Sequence, residues 1–117
     1  MADMVAIRRL VTEANGRDAG DDETRMARFQ QKLEEFLTPE VFKAFGFNFE
    51  WSEGGARKRE PSAVADLGKT RVAFYEGIEG HQFIASFMHK NTFGPRGRRL
   101  RHVDSKDEFL KMLQGWI

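Results

Sequence analysis

The sequence contains no cysteine, so it cannot form a disulfide, offer a thiolate nucleophile or build a zinc site from cysteine ligands. Long hydrophobic runs are also absent, and the longest apolar stretch is far shorter than a membrane-spanning helix requires. The first ten residues place Arg8 and Arg9 inside their apolar stretch, which is unlike a secretory signal peptide. We therefore expect a cytoplasmic protein without a membrane partner.

Recognisable catalytic and cofactor motifs are missing as well. The segment LGKT at residues 67–70 matches only the end of a phosphate-binding loop. Ala63 stands where that loop needs its first glycine, and a strand-like segment follows instead of a helix. The three histidines, His81, His89 and His102, lack the spacing that directs two imidazoles at one metal ion. We therefore predict no cofactor, no metal site and no enzymatic activity, with a small enzyme of unknown class as the remaining alternative.

The residues that are present indicate one small domain with an aromatic core and an uneven charge distribution. The chain has 117 residues, among them eleven phenylalanines and two tryptophans, and aromatic rings bury large areas. Residues 1–56 contain seven basic and eleven acidic side chains, a net charge of −4. Residues 57–101 contain ten basic and four acidic side chains, a net charge of +6. This asymmetry is typical of a protein that binds a polyanion or an acidic partner, although small domains also acquire it by chance.

Three helices are predicted in the N-terminal part of the chain. Apolar side chains recur at helical spacing over residues 3–14, and a segment rich in glycine and aspartate follows. Residues 1–20 are therefore predicted as an N-terminal helix with a connector that is either tight or a hinge, and residues 21–117 as the α+β domain. Residues 22–37 carry one apolar stripe. In TPEVFKAFG, Thr38 is a capping residue, Pro39 starts a helix and Gly46 ends it.

After Gly46, the spacing of the apolar side chains changes from the helical period to the every-second-residue alternation that is typical of a β-strand. FNFEW at residues 47–51 alternates apolar and polar side chains, and residues 63–76 form either one long strand or two strands separated by a turn at Gly68. Further strands are predicted near residues 82–88 and 100–103, and Asp104 or Ser105 caps a final helix. The predicted fold is α+β: three N-terminal helices, an antiparallel sheet of three to five strands, and a C-terminal helix.

The strand at residues 82–88 is apolar on both faces, so it needs two coverings. The helices supply one. The N-terminal helix, a second copy of the chain or a partner could supply the other. Tyr75, Ile84 and Met88 are therefore predicted as an alternative docking surface for a protein, including a homodimer.

Two basic segments are the strongest functional signal. We predict that they bind an anionic partner, with nucleic acid favoured and an acidic protein surface as the alternative. Basic side chains can also simply discourage edge pairing. The predicted anion-binding residues are Arg57, Lys58 and Arg59 in the first segment, and Lys90, Phe93, Arg96, Arg98, Arg99, Arg101 and His102 in the second. If residues 63–76 are one strand, the two segments meet at one end of the sheet. If Gly68 makes a turn, they lie at opposite ends.

Overall fold

The computed structural model describes residues 3–6, 22–53, 59–92 and 97–117. Its central element is an antiparallel sheet whose strands are adjacent in chain order. The strands are β1 (Asn48–Glu53), β2 (Arg59–Leu67), β3 (Thr70–Glu76), β4 (Phe83–His89) and β5 (Arg98–Val103). The predicted mixed α+β class with an antiparallel sheet is confirmed, and the residues that the structure describes form five strands.

A turn at Gly68 separates β2 from β3, which decides between the two alternatives for residues 63–76. Leu67 pairs with Thr70, so only two residues connect the strands. Gly68 adopts φ 81°, a left-handed conformation that glycine enters without the steric cost of a Cβ atom. Its amide donates to the Asp66 carboxylate at 3.1 Å, which fixes the turn further.

The helices follow the predicted caps in most details. Residues 4–6 are helical (α1), and the rest of the predicted first helix and its connector lie outside the described residues, as does the proposed domain boundary at residue 20. Then come α2 (Asp22–Leu37), α3 (Pro39–Phe45) and α4 (Lys106–Trp116). Gly46 ends α3 with φ 63°, and the Ser105 hydroxyl caps α4 by accepting from the Glu108 amide at 3.2 Å. Thr38, predicted as a cap, makes no capping hydrogen bond with its side chain.

One face of the sheet, here called the covered face, packs against α2, α3 and α4 and forms the core. Phe29 of α2 meets Phe83 edge-on at 5.9 Å between ring centroids. Phe109 of α4 lies 4.6 Å from Phe74, which is completely buried. These two contacts join β3 and β4 to α2 and α4 within one cluster, and such edge-to-face and tilted pairs add to the gain from burial.

The other face, here called the open face, carries the alternate residues of every strand. Ile84 and Met88 of β4 belong to it and are half-buried, whereas Phe83, Ala85 and Phe87 of the same strand are buried on the covered face. The helices with packed core side chains lie on the covered face. In the described part of the chain, the open face is therefore without a helical layer.

Candidate anion-binding edge and open sheet face

Arg59 of the first basic segment and Arg98 of the second lie at opposite ends of the sheet, which is the alternative expected for a turn at Gly68, so these described residues do not converge. Arg59 pairs with Glu53 at the end where β1 turns into β2, whereas Arg98 begins β5 opposite Met88 at the other end. Counted through the register, Arg59 and Arg98 are roughly 23 Å apart along the strands and roughly 14 Å apart across them. The physical reason is the turn at Gly68, because each additional hairpin moves the next connection to the opposite end.

Four of the ten predicted anion-binding residues lie outside the described residues. They are Arg57, Lys58, Phe93 and Arg96. The other six are Arg59, Lys90, Arg98, Arg99, Arg101 and His102, and they divide into two groups by what they contact.

Arg59 and Lys90 are committed to contacts within the protein. The Arg59 guanidinium forms an ion pair with Asp22 at 2.6 Å and lies 4.6 Å from the ring centre of Trp51. The ammonium group of Lys90 forms an ion pair with the Asp66 carboxylate. That contact, helped by the Gly68 amide, holds the pKa of Asp66 below its ordinary value. A partner would have to break these pairs to reach either cation.

The remaining predicted cations belong to β5, which is an edge strand because, within the described ranges, it pairs only with β4. Arg98, Arg99, Arg101 and His102 are all exposed, and β5 contains no carboxylate. Arg98 and His102 occupy the open face, since they pair with Met88 and Ile84. Arg99 lies on the other side of the strand, with its guanidinium 5.4 Å from the ring centre of Trp116 in α4. Among the described residues, no carboxylate forms an ion pair with Arg98 or Arg101.

His102 of β5 stacks on His81, which lies in the connection between β3 and β4. The spacing of the histidines in the sequence did not predict this contact. The rings of His81 and His102 lie 4.2 Å apart and 17° from parallel. The Nδ1–H of His81 donates to the Asp104 carboxylate at 2.7 Å, and the Gln82 amide donates to the same group at 2.9 Å. These two hydrogen bonds, the first being the larger effect, lower the pKa of Asp104. A carboxylate thus positions His81, and His81 supports the exposed ring of His102.

Three predicted interface residues share the open face with a cation that the sequence analysis missed. Tyr75, Ile84 and His102 form one row across β3, β4 and β5, and Arg71, Met88 and Arg98 form another row four residues away. Strand parity could have found Arg71, because it lies four positions before Tyr75. We call the open-face positions of these strands the β3–β5 platform: Arg71, Ala73, Tyr75, Ile84, Ser86, Met88, Arg98, Leu100 and His102.

Charge divides the open face into two halves. The β3–β5 platform contains no carboxylate, whereas β1 and β2 present Glu50, Glu60 and Asp66 on the same side of the sheet. Arg71 on β3 lies opposite Asp66 on β2 in the strand register, at the boundary between the halves. Since Lys90 already neutralises Asp66, these three residues together retain one positive charge. An anion is therefore attracted to the β3–β5 platform, which carries Arg71 and Arg98 and no carboxylate.

The described residues contain no group of three or more histidines, cysteines and carboxylates able to hold a metal ion. His89 lies far from His81, and its Nε2 atom is 3.1 Å from the carbonyl oxygen of Trp116 at the end of α4. None of the helices in the described ranges combines the length and the apolar character that crossing a membrane demands.

Comparisons of the chain with models of protein families, with curated proteins and with solved structures found no match.

Proposed function

We propose that this is a small, non-enzymatic binding protein that engages a polyanion, with nucleic acid as the preferred class, through β5 and the adjoining part of the open face. The observation that carries the proposal is the composition of the edge strand. Three exposed arginines and a histidine occur in a strand of six residues that has no acidic side chain.

The spacing of these cations suits a linear chain of phosphates. Arg98 and Arg101 are roughly 10 Å apart along β5, so one extended polymer can contact both. Arginine offers a planar fork of donors that matches phosphate oxygens, and it keeps its charge at every relevant pH. Binding by several such contacts releases condensed counterions, which makes the affinity fall steeply as salt rises.

The proposal is tested by measuring binding to single-stranded and duplex DNA and RNA over a salt series from about 50 to 200 mM. The double variant Arg98→Glu/Arg101→Glu should bind at least about tenfold more weakly than the wild type. Its plot of log affinity against log salt should be shallower by about 1.5, because each lost phosphate contact removes roughly 0.7 to 0.9 from the slope. These residues were chosen over Arg99, whose guanidinium contacts Trp116 and whose loss would disturb α4.

The matched control is Arg28→Glu/Lys111→Glu, which changes the net charge by the same amount at exposed positions on α2 and α4. It should retain most of the affinity. Binding that is absent in the wild type, insensitive to salt, or reduced equally by the control would contradict the proposal. Circular dichroism of all three proteins verifies that they are folded.

A protein partner is the second candidate, and a specific observation favours it. Tyr75, Ile84 and Met88 lie together on the open face, half-buried and apolar, where no helix of the described chain packs. Apolar side chains grouped in this way often mark an interface with another protein. A second copy of the chain is the simplest such partner. Association that rises with protein concentration and is abolished by Ile84→Arg would support this candidate.

A further inference from the structure

We propose that the nucleic acid is single-stranded and that its bases lie on the β3–β5 platform, against Tyr75 and His102, while Arg71 and Arg98 bind its phosphates. This inference rests on the proposed function and narrows it to one class of ligand and one surface. It is carried by the juxtaposition of two rings and two guanidinium groups around a shallow apolar floor.

The four side chains mark the corners of the platform. Tyr75 and His102 are two strands apart in one row, and Arg71 and Arg98 are two strands apart in another. The Cα atoms within a row are therefore roughly 10 Å apart, and the rows are roughly 13 Å apart along the strands. A footprint of this size accommodates a few nucleotides, with bases at one end and phosphates at the other.

Two small, buried side chains occupy the centre of the platform. Ala73 and Ser86 lie side by side between the two rows and are 6% and 5% exposed. The apolar side chains of Ile84 and Met88 lie on either side of Ser86 along β4. Because these two small residues are covered by their neighbours, a base that rests here meets the larger apolar side chains of Ile84 and Met88. Stacking on exposed rings is available to every base, so it gives affinity with little sequence preference.

A duplex does not fit this surface in the same way. The bases of a duplex are accessible only through its grooves, and the major groove admits a helix or a two-stranded ribbon rather than the face of a five-stranded sheet. On the platform a duplex could contribute phosphate contacts but not base contacts with Tyr75 and His102. A single strand can contribute both, because its bases are free to turn outward.

Two further features direct the single-stranded nucleic acid to this half of the sheet. The Glu50 carboxylate on β1 disfavours phosphates on the far half of the open face, whereas Arg71 and Arg98 attract them to β3–β5. The stacking of His102 on His81 restricts the ring while leaving His102 exposed. A ring that is already positioned loses little freedom when a base stacks on it.

The experiment compares the affinities of fluorescein-labelled oligonucleotides of about 12 nucleotides, as single strands and as the matching duplexes, for the wild type and three variants. The variants are Tyr75→Ser, His102→Ser and the conservative Tyr75→Phe. We expect tighter binding of the single strand, and a loss of roughly tenfold when either ring is removed. Tyr75→Phe should bind like the wild type. The salt dependence of Tyr75→Ser and His102→Ser should stay unchanged, because their phosphate contacts remain.

The outcomes separate this inference from the function on which it rests. If duplexes bind as tightly as single strands, or if both serine variants bind normally while Arg98→Glu/Arg101→Glu does not, the protein binds nucleic acid but the platform does not hold the bases. If neither the single strands nor the duplexes bind, both proposals are overturned. If ultracentrifugation of the protein alone shows a dimer that Ile84→Arg dissociates, a second copy occupies the platform and the inference is again overturned. Since His102 is exposed on an edge strand, its serine variant remains informative even if Tyr75→Ser fails to fold.

Discussion

Replacing Phe74 by alanine should remove a large part of the stability of this protein. The side chain is completely buried on the covered face, and its ring contacts Phe36, Phe47, Phe83 and Phe109 at centroid distances of 6.4, 5.7, 5.8 and 4.6 Å. These partners come from α2, the segment before β1, β4 and α4. The substitution therefore opens a cavity at the point where the helices and the sheet meet.

The expected loss in the free energy of unfolding is about 4 kcal/mol, since alanine in place of a buried phenylalanine costs roughly 3 to 5 kcal/mol. Domains of this kind have a total stability of roughly 5 to 15 kcal/mol, so a quarter or more of it disappears. In urea, with a slope of about 2 kcal/mol per molar, the midpoint should fall by roughly 2 M. Phe74→Leu keeps most of the volume and should cost about 1.5 kcal/mol or less.

The matched control is Leu100→Ala on the open face, where Leu100 is 49% exposed. It should change the stability by at most about 0.5 kcal/mol, because exposed positions away from special contacts tolerate truncation. The reasoning is refuted if Phe74→Ala unfolds within about 1 kcal/mol of the wild type. It is also refuted if Leu100→Ala lowers the free energy of unfolding as much as Phe74→Ala does, because the assignment of the covered and open faces would then be wrong.

Two further predictions concern polar contacts at the ends of secondary structure. His81→Ala should raise the pKa of Asp104 toward its ordinary value, measured by a carbon-13 NMR titration in which Asp66 serves as an unchanged reference. Because the folded-state pKa of Asp104 is lowered, its contribution to stability is complete above about pH 4 and is lost as the pH falls through the lowered value. The acid limb of a plot of stability against pH should therefore be shallower in the variant, and an unshifted Asp104 would contradict the assignment. Ser105→Ala should cost about 1 kcal/mol in urea unfolding because it removes the cap of α4, whereas Ser105→Asp should keep most of the stability.

The sequence predicted the elements because each has a period or a cap that does not depend on the rest of the fold. The helical stripe of residues 22–37 became α2 with the same bounds, and Pro39 and Gly46 bracket α3 as their backbone preferences require. The two apolar faces of β4 were also predictable, because alternation along a strand assigns side chains to faces. Local chemistry thus predicted α2, α3 and α4 and the approximate positions of the strands, but it left the division at Gly68 open and missed the start of β2 at Arg59.

The meeting of side chains distant in sequence could not be predicted in the same way. His81 and His102 stack only because β4 and β5 are neighbours with one particular register. The Arg25 guanidinium lies 5.6 Å from the ring centre of Trp51 because α2 crosses the end of β1 and β2. Such contacts depend on the packing angle of a helix, which no periodicity in the sequence states.

The candidate site shows how a small local feature decides a distant arrangement. Gly68 and Lys69 make the two-residue turn that gives the meander an additional strand, and this turn places Arg59 and Arg98, which belong to different basic segments, at opposite ends of the sheet. Parity then divides the cations of β5 between its two sides, with Arg98 and His102 on the open face and Arg99 and Arg101 on the other. A ligand on the open face alone could therefore use only half of the positive groups of this strand. A polymer that runs along the edge can reach both sides, and for this reason the edge together with the open face is a better anion site than either surface by itself.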